Sequence, residues 1–258
     1  MKMITMLRAG LVALMLPLSA ASFSAKAAEF SPLQRDEMGQ IIKDYLMKHP
    51  EELRAALSAM TKHEKDTEQQ AQEKFTGDTS SAIYSSKFQS VVGNPNGKTV
   101  LVEFFDYNCG YCKRTIDDIA ELIKKNPDLK VILKDFPVLG PGSIEAAKVE
   151  TAVRNQLTGE KFWDFHRTLL LSHGQVGKSQ AMDVAKAKGV DMDKLGADMA
   201  NQEVAAAGIA EVMNIGDRLG MNGTPSFIIG KEVVVGAVGF DTLQEKVSNT
   251  AKCGKAEC

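Results

Sequence analysis

The sequence predicts an α/β fold, an open sheet interrupted by a helical insertion and preceded by a helical appendage. Three observations carry this. Thr99–Phe105 is apolar except for Glu103, and a helical pattern and a second strand-like run at residues 130–134 follow it; strand, helix, strand in that order calls for a parallel pair. From residue 143 to about 220 the pattern is helical throughout, and strand signals return only at Ser226–Ile229 and Glu232–Val235. Ahead of all this, residues 31–60 carry apolar side chains at helical spacing, cut off from the rest by the almost wholly polar stretch 61–74.

Taken in order, Lys2 and Arg8 precede an apolar run at 11–18, small residues and Ala25-Lys26-Ala27. That is the three-part pattern of a secretory signal peptide, residues 1–27, cleaved after Ala27 or Ala28. The run is too short for a membrane span, which needs about 20 apolar residues. Export to the periplasm as a soluble protein is the expectation. Ser31-Pro32 reads as an N-cap with proline at the first helical position, and Met38, Ile41, Ile42, Tyr45 and Leu46 give a helix over 31–48. His49-Pro50 breaks it, and Glu51-Glu52 opens a second helix with Leu53, Leu57 and Met60 on one side. Residues 61–74 are either a solvated helix or a linker. An apolar stripe so far from any core needs a partner; a second copy is the simplest, folding back on the main domain the alternative.

The turn Gly93-Asn94-Pro95-Asn96-Gly97 leads into the buried strand Thr99–Phe105, then into Cys109-Gly110-Tyr111-Cys112 and a helix over 112–125 ended by Asn126-Pro127. The insertion, about 141–220, should hold helices at 144–157, 161–171, 179–187 and 193–218. The two late strands form an antiparallel hairpin turned at Gly230-Lys231, and Asp241 caps a last helix to about Thr250. The expected organisation is therefore a signal peptide at 1–27, a helical region and linker at 28–76, a main domain at 77–250 and a tail at 251–258.

Removing Lys2, Arg8 and Lys26 takes the formal charge from -2 to -5, which gives no basis for a nucleic-acid partner. The four cysteines fall into two close pairs, Cys109/Cys112 and Cys253/Cys258. That is too few for a disulfide scaffold of this size, so chemistry is their expected role. A strand that ends in Cys-x-x-Cys and runs into a helix puts the first sulfur beside unpaired N–H groups and the positive end of the helix dipole, both of which favour thiolate. Cys109 is thus the expected nucleophile, and Cys112 the more buried thiol that resolves the mixed disulfide. Zinc is disfavoured because His49, His63, His166 and His173 are scattered and the tail cysteines lie far along the chain. Glu103, an acid in an apolar strand, should stay protonated when buried and can exchange the proton of Cys112. Asp106 and Asn108, just before the pair, are candidates to tune the thiolate, with no firm role assigned. Pro225, lacking an N–H, stands where it can open the strand that follows Thr224.

These residues resemble the DsbA-like branch of the thioredoxin superfamily. The likeness runs over about residues 80–250 and is carried by Glu103-Phe104-Phe105 leading to Cys109-Gly110-Tyr111-Cys112, by Phe162-Trp163-Asp164-Phe165-His166 in the insertion, and by Gly223-Thr224-Pro225-Ser226-Phe227. It implies a thioredoxin fold, no cofactor beyond the redox-active disulfide, a cis bond at Pro225, and substrate contact by Thr224, Pro225, Gly110 and Tyr111. Gly-Tyr between the cysteines and Thr before the proline are more similar to the isomerase DsbC than to the oxidase DsbA. The appendage is similar to the oligomerising stalk of ScsC-type proteins, some of them trimeric isomerases linked to copper tolerance. A dimer or trimer through Ile41, Ile42, Tyr45, Leu46, Leu53 and Leu57 follows from that likeness. Three functions remain open: an exported isomerase or reductase acting on cysteine-containing clients, with a membrane redox partner keeping the dithiol reduced; a dithiol oxidase; and a Cu(I) binder using Cys109 and Cys112, since thiolates select that soft ion. Cys253 and Cys258 depart from the pattern. They form a local structural disulfide worth at most roughly 2 kcal/mol in a frayed tail, a soft-metal clip, or an auxiliary redox pair.

Overall fold

The structure, a computed structural model, describes residues 30–258; the signal-peptide assignment lies outside the described residues. The chain divides into two compact units at Met60/Thr61.

In the first unit, α1 (Pro32–Lys48) starts as its sequence dictates. The Ser31 hydroxyl accepts from the Gln34 N–H at 3.2 Å, and the Gln34 side chain accepts from the Ser31 N–H at 2.9 Å, a reciprocal cap that satisfies two orphan donors. His49, restricted by the proline after it, leaves the helical region at φ -124° and ψ 64°, and α2 (Pro50–Gly77) begins at once. No residue of α1 is buried. Ile41, Ile42, Tyr45, Leu46, Leu53 and Leu57 are all exposed, Ile41 by 68%.

In the second unit, residues 61–77 continue α2, so the polar stretch is a solvated helix rather than a linker. Its end is held: the Gln72 amide donates to the Leu219 carbonyl at 3.0 Å, the Thr76 hydroxyl to the Lys231 carbonyl at 2.7 Å, and the Arg218 guanidinium lies over the Phe75 ring. Then come β1 (Ser90–Gly93), β2 (Thr99–Phe105), α3 (Gly110–Lys125), β3 (Leu129–Asp135), α4 (Pro141–Val153), α5 (Gly159–Leu170), α6 (Lys178–Ala187), α7 (Met192–Ala200), α8 (Gln202–Arg218), β4 (Ser226–Ile229), β5 (Glu232–Val235) and α9 (Phe240–Cys253). The strands form one sheet in the order β1-β3-β2-β4-β5, with β2 and β3 parallel and the remaining pairs antiparallel. This is a thioredoxin fold with a helical insertion, α4–α8.

β2 is central, which is why it is apolar on both faces. Alternation sends Leu101, Glu103 and Phe105 to one side and Val102 and Phe104 to the other. The first side packs on Ile116, Ile119 and Leu122 of α3 and Leu243 and Val247 of α9. The second packs with Phe136 and with Ile215 and Leu219 at the end of α8.

The structure departs from the sequence expectations in several places. β1 has no counterpart among those expectations, because it is a four-residue edge strand, too short for a period to register. The helix after the cysteines begins at Gly110, not residue 112. The helix expected over 193–218 is two helices, broken at Asn201, which caps both. Gly239 rather than Asp241 is the N-cap of α9, and Asp241 only supplies an acid in the first turn. The tail is docked, not frayed: Cys253 and Cys258 form a disulfide, Ala256 is 3% exposed, and its carbonyl accepts from the Asn249 amide at 3.1 Å.

Candidate functional site

β2 ends at Phe105, and four residues later Cys109 takes the N-cap position of α3, with extended backbone at φ -77° and ψ 112°. Its sulfur accepts the Cys112 N–H at 3.3 Å, in the place where a serine or aspartate oxygen would cap a helix. Both thiols are free and buried, Cys112 fully and Cys109 to 4% exposure. From the opposite side comes the loop before β4. The Thr224–Pro225 peptide is cis, the Thr224 carbonyl accepts from the Cys109 thiol at 3.1 Å, and the Pro225 carbonyl accepts the Gly236 N–H at 2.8 Å. Gly110 has open space around it, and Tyr111, 58% exposed, lies under the Arg114 guanidinium at 4.2 Å. Cys109, Gly110, Tyr111, Cys112, Thr224 and Pro225 thus meet at one end of the sheet.

The electrostatics separate the two sulfurs. Cys109 is drawn down to about 6, first by the hydrogen bond that the Cys112 thiol offers it, then by the Thr224 hydroxyl and the Cys112 and Tyr111 N–H groups, against the opposing effect of burial. The Thr224 hydroxyl is buried without a hydrogen-bond partner, so it is free to serve an anionic sulfur. Cys112 moves the other way, raised by burial, by its donation to Cys109 and by the charge of Glu103. One thiolate and one thiol, three residues apart, are what disulfide exchange requires.

Glu103 is fully buried on the same face of β2 as the cysteine cluster, and neither carboxyl oxygen has a partner. Burial, and secondarily the Cys109 anion, push it up to about 8. It can hold and release a proton near neutral pH.

The sequence left the loop between β2 and Cys109 unexplained. Asp106, fully buried, accepts three hydrogen bonds, from the Asn108 N–H at 2.8 Å, the Ser143 hydroxyl at 2.7 Å and the Leu139 N–H at 2.9 Å. An Asx turn was legible from Asp106-x-Asn108; its partners on α4 and in the loop before it were not. His166, stacked on Trp163 and 3.3 Å from the Tyr107 hydroxyl, is buried and pushed down to about 3, so it is neutral. The Cys253–Cys258 disulfide closes the tail that packs at the β4–β5 turn, the opposite end of β4 from Pro225. Among the described residues no group of three or more His, Cys, Asp or Glu is placed to hold a metal ion.

A thioredoxin fold that sets a Cys-x-x-Cys pair at the start of a helix, across from a cis-proline, defines a thiol-disulfide oxidoreductase. Residues 85–249 match the family described as Thioredoxin, and the chain belongs to it; its similarities are to the DsbA-like and ScsC-type members. Residues 34–70 match a second family, described as Copper resistance protein ScsC N-terminal domain. A thioredoxin-like oxidoreductase from Silicibacter pomeroyi DSS-3 is 35% identical, with 67% of this chain and 97% of that one covered at a TM-score of 0.62. The thiol-disulfide exchange protein alpha-DsbA2 from Wolbachia pipientis is 31% identical, with 70% and 96% covered at 0.64. ScsC of Proteus mirabilis, in a transitional conformation, is 27% identical, with 86% and 98% covered at 0.62. Among curated relatives, the chain spans 24% of the length of the Na(+)/H(+) antiporter NhaA 1 of Salinispora arenicola.

Proposed function

We propose that this protein is an exported, periplasmic disulfide isomerase or reductase that works as a homo-oligomer through Cys109 and Cys112. The observation that carries the chemistry is the Cys109 sulfur at the N-cap of α3, accepting the Cys112 N–H at 3.3 Å, with the fully buried and unpartnered Glu103 carboxyl on the same side of β2. The Cys109 thiolate attacks one sulfur of a client disulfide. A Cys109–client bond forms, the client bond breaks, and its second sulfur leaves as thiolate. The anion at Cys109 is then gone, and with it one of the two causes that hold the proton on Glu103. Glu103 becomes a stronger acid, and once ionised it is the base that takes the proton of Cys112. The Cys112 sulfur attacks Cys109, the two become a disulfide, and the client leaves as a thiolate carrying the two electrons. In isomerisation the freed client thiolate instead attacks a second disulfide of the client, the thiolate released there attacks the client sulfur of the mixed disulfide, Cys109 leaves again as thiolate, and the dithiol is recovered unchanged. Thr224, Pro225, Gly110 and Tyr111 are the surface on which the client chain lies.

Oligomerisation is supported by the six exposed apolar residues Ile41, Ile42, Tyr45, Leu46, Leu53 and Leu57. Side chains of this kind contribute roughly 1.5–3 kcal/mol each when fully buried. Several sites in one assembly favour repair, because a client released from one is near the next. Clients are cysteine-containing exported proteins, and a membrane redox partner keeps the dithiol reduced. The Cu(I) reading rests on two sulfurs alone, with no further ligand group among the described residues. The test compares the mature chain with one beginning at Thr61, which keeps the contacts of Gln72 and Thr76. The mature chain should be an oligomer that repairs scrambled disulfides, and the shortened chain a monomer that oxidises or reduces but repairs poorly. Equal repair by that monomer rejects the reading that oligomerisation makes the protein an isomerase.

A further inference from the structure

The segment that aims Cys109 is not held by the sheet alone. Asn108, the residue before it, pairs in both directions with the backbone of Val176 in the connection from α5 to α6. The Val176 N–H donates to the Asn108 Oδ1 at 2.7 Å, and the Asn108 Nδ2 donates to the Val176 carbonyl at 2.9 Å. The same Nδ2 donates to the Ser143 hydroxyl at 3.0 Å, in the first turn of α4. Ser143 in turn donates to Asp106, whose backbone carbonyl accepts the Cys109 N–H at 2.9 Å. Two side chains on one short loop are therefore bound to two separate parts of the insertion, 35, 37 and 68 positions away in sequence.

We infer that Asn108 and Asp106 are positioning residues through which the helical insertion fixes the Cys109 sulfur at the N-cap of α3. The inference rests on the thiol-disulfide reading above. Its physical basis is that every favourable contact of the sulfur depends on direction. The Cys112 N–H donates to it at 3.3 Å, and hydrogen bonds weaken steeply as the angle closes. The residues between Phe105 and Cys109 belong to no strand or helix, and the Cys109 backbone joins α3 only through its carbonyl, which accepts the Lys113 N–H at 3.1 Å. An asparagine is suited to the task because its amide offers donor and acceptor side by side and so can pair with a peptide unit as another backbone would. Ser143, nearly fully buried, closes the ring by accepting from Asn108 and donating to Asp106.

The test is the pH dependence of alkylation of Cys109 by iodoacetamide in the full chain, for the wild type, Asn108→Ala and Ser143→Ala, with thermal unfolding measured in parallel. Ser143→Ala removes two links of the ring with little change of volume, so it decides the matter should Asn108→Ala not fold. The wild type should ionise near pH 6, as its contacts dictate. Both variants should ionise higher, Asn108→Ala by about one unit, which lowers its alkylation rate at pH 6 about fivefold relative to wild type through the smaller thiolate fraction. A lowered melting temperature with an unmoved ionisation midpoint overturns the inference, since a purely structural loop would give that result. If the wild-type sulfur itself ionises like a free thiol near pH 8.5, the oxidoreductase reading fails first, and the two failures are told apart.

Discussion

Replacing Glu103 by glutamine should make the reduced protein more stable, and by an amount that depends on pH. The Glu103 carboxyl has no hydrogen-bond partner at either oxygen and is held up to about 8 from an ordinary 4.5, by burial first and by the Cys109 anion second. Below pH 4.5 the folded and unfolded chains both carry the proton, and the residue costs nothing through ionisation. As pH rises from 4.5 to 8 the unfolded chain gives the proton up while the folded one keeps it, so stability falls across that window and is level above it. At 1.36 kcal/mol per unit, the full gap of about 3.5 units is worth roughly 5 kcal/mol above pH 8 and about 3 kcal/mol at pH 7. The substituted amide cannot ionise, and it meets the same unpartnered surroundings as the neutral acid. The difference between Glu103→Gln and wild type, measured by denaturant unfolding of the reduced proteins from pH 4 to 9, should therefore open from near zero to about 3 kcal/mol at pH 7. With the active-site disulfide formed, the Cys109 charge is absent and the difference should shrink. A difference that stays flat with pH would refute both the buried carboxyl and its coupling to the sulfur. The gain in stability should come with a loss of function: without a base for Cys112, mixed disulfides should resolve on the order of 100-fold more slowly, the lower range of general-base effects.

Iodoacetamide should modify Cys109 with a midpoint near pH 6 and leave the buried Cys112 untouched in the folded protein, as peptide mapping will show. Cys112→Ser should accumulate covalent client adducts on non-reducing gels, while Cys109→Ser should form none. Gly230→Ala should destabilise by roughly 2 kcal/mol or more, because φ is +53° and an added Cβ would stand 2.6 Å from the Thr250 hydroxyl and against the backbone of Ala256; a melting temperature equal to wild type would contradict the docked tail. Asp135 is half-buried, but its carboxyl oxygens, beside Glu150, are buried with no donor, and burial followed by the Glu150 charge pushes it well above the usual carboxylate range. Asp135→Asn should accordingly raise stability at pH 7 and leave it unchanged near pH 3, by the same unfolding measurement.

The elements that position the site were legible wherever period or punctuation is strong. β2 is an apolar run closed by a cysteine pair, the β4–β5 hairpin turns at Gly230-Lys231, and Ser31-Pro32 caps α1 where expected. β1 was not, because four residues at a sheet edge carry no readable alternation, and Asn201 was missed because the helical pattern runs through it on both sides. The chemistry of Cys109, Cys112 and Glu103 could be argued from local sequence since a helix start and an apolar strand are themselves local facts. Asp106 and Asn108 could not, because their partners Ser143 and Val176 belong to an insertion whose docking no period encodes.

That contrast bears on how the site is built. The pull that makes Cys109 an anion comes from its own helix, from the Cys112 thiol and N–H and the Tyr111 N–H, and from Thr224 across the sheet. The insertion adds no charge to the sulfur. It adds constraint, through uncharged amide, hydroxyl and backbone groups around the single carboxylate of Asp106. An insertion can therefore change in length or surface while the thiolate persists, provided one acceptor–donor pair still meets Asn108 and one hydroxyl still meets Asp106. Replacing Val176 by another β-branched residue, isoleucine, leaves both backbone groups in place and should leave the ionisation of Cys109 near pH 6. Deleting a residue from the connection between α5 and α6 should move it upward, because the peptide unit that Asn108 grips would no longer arrive in register.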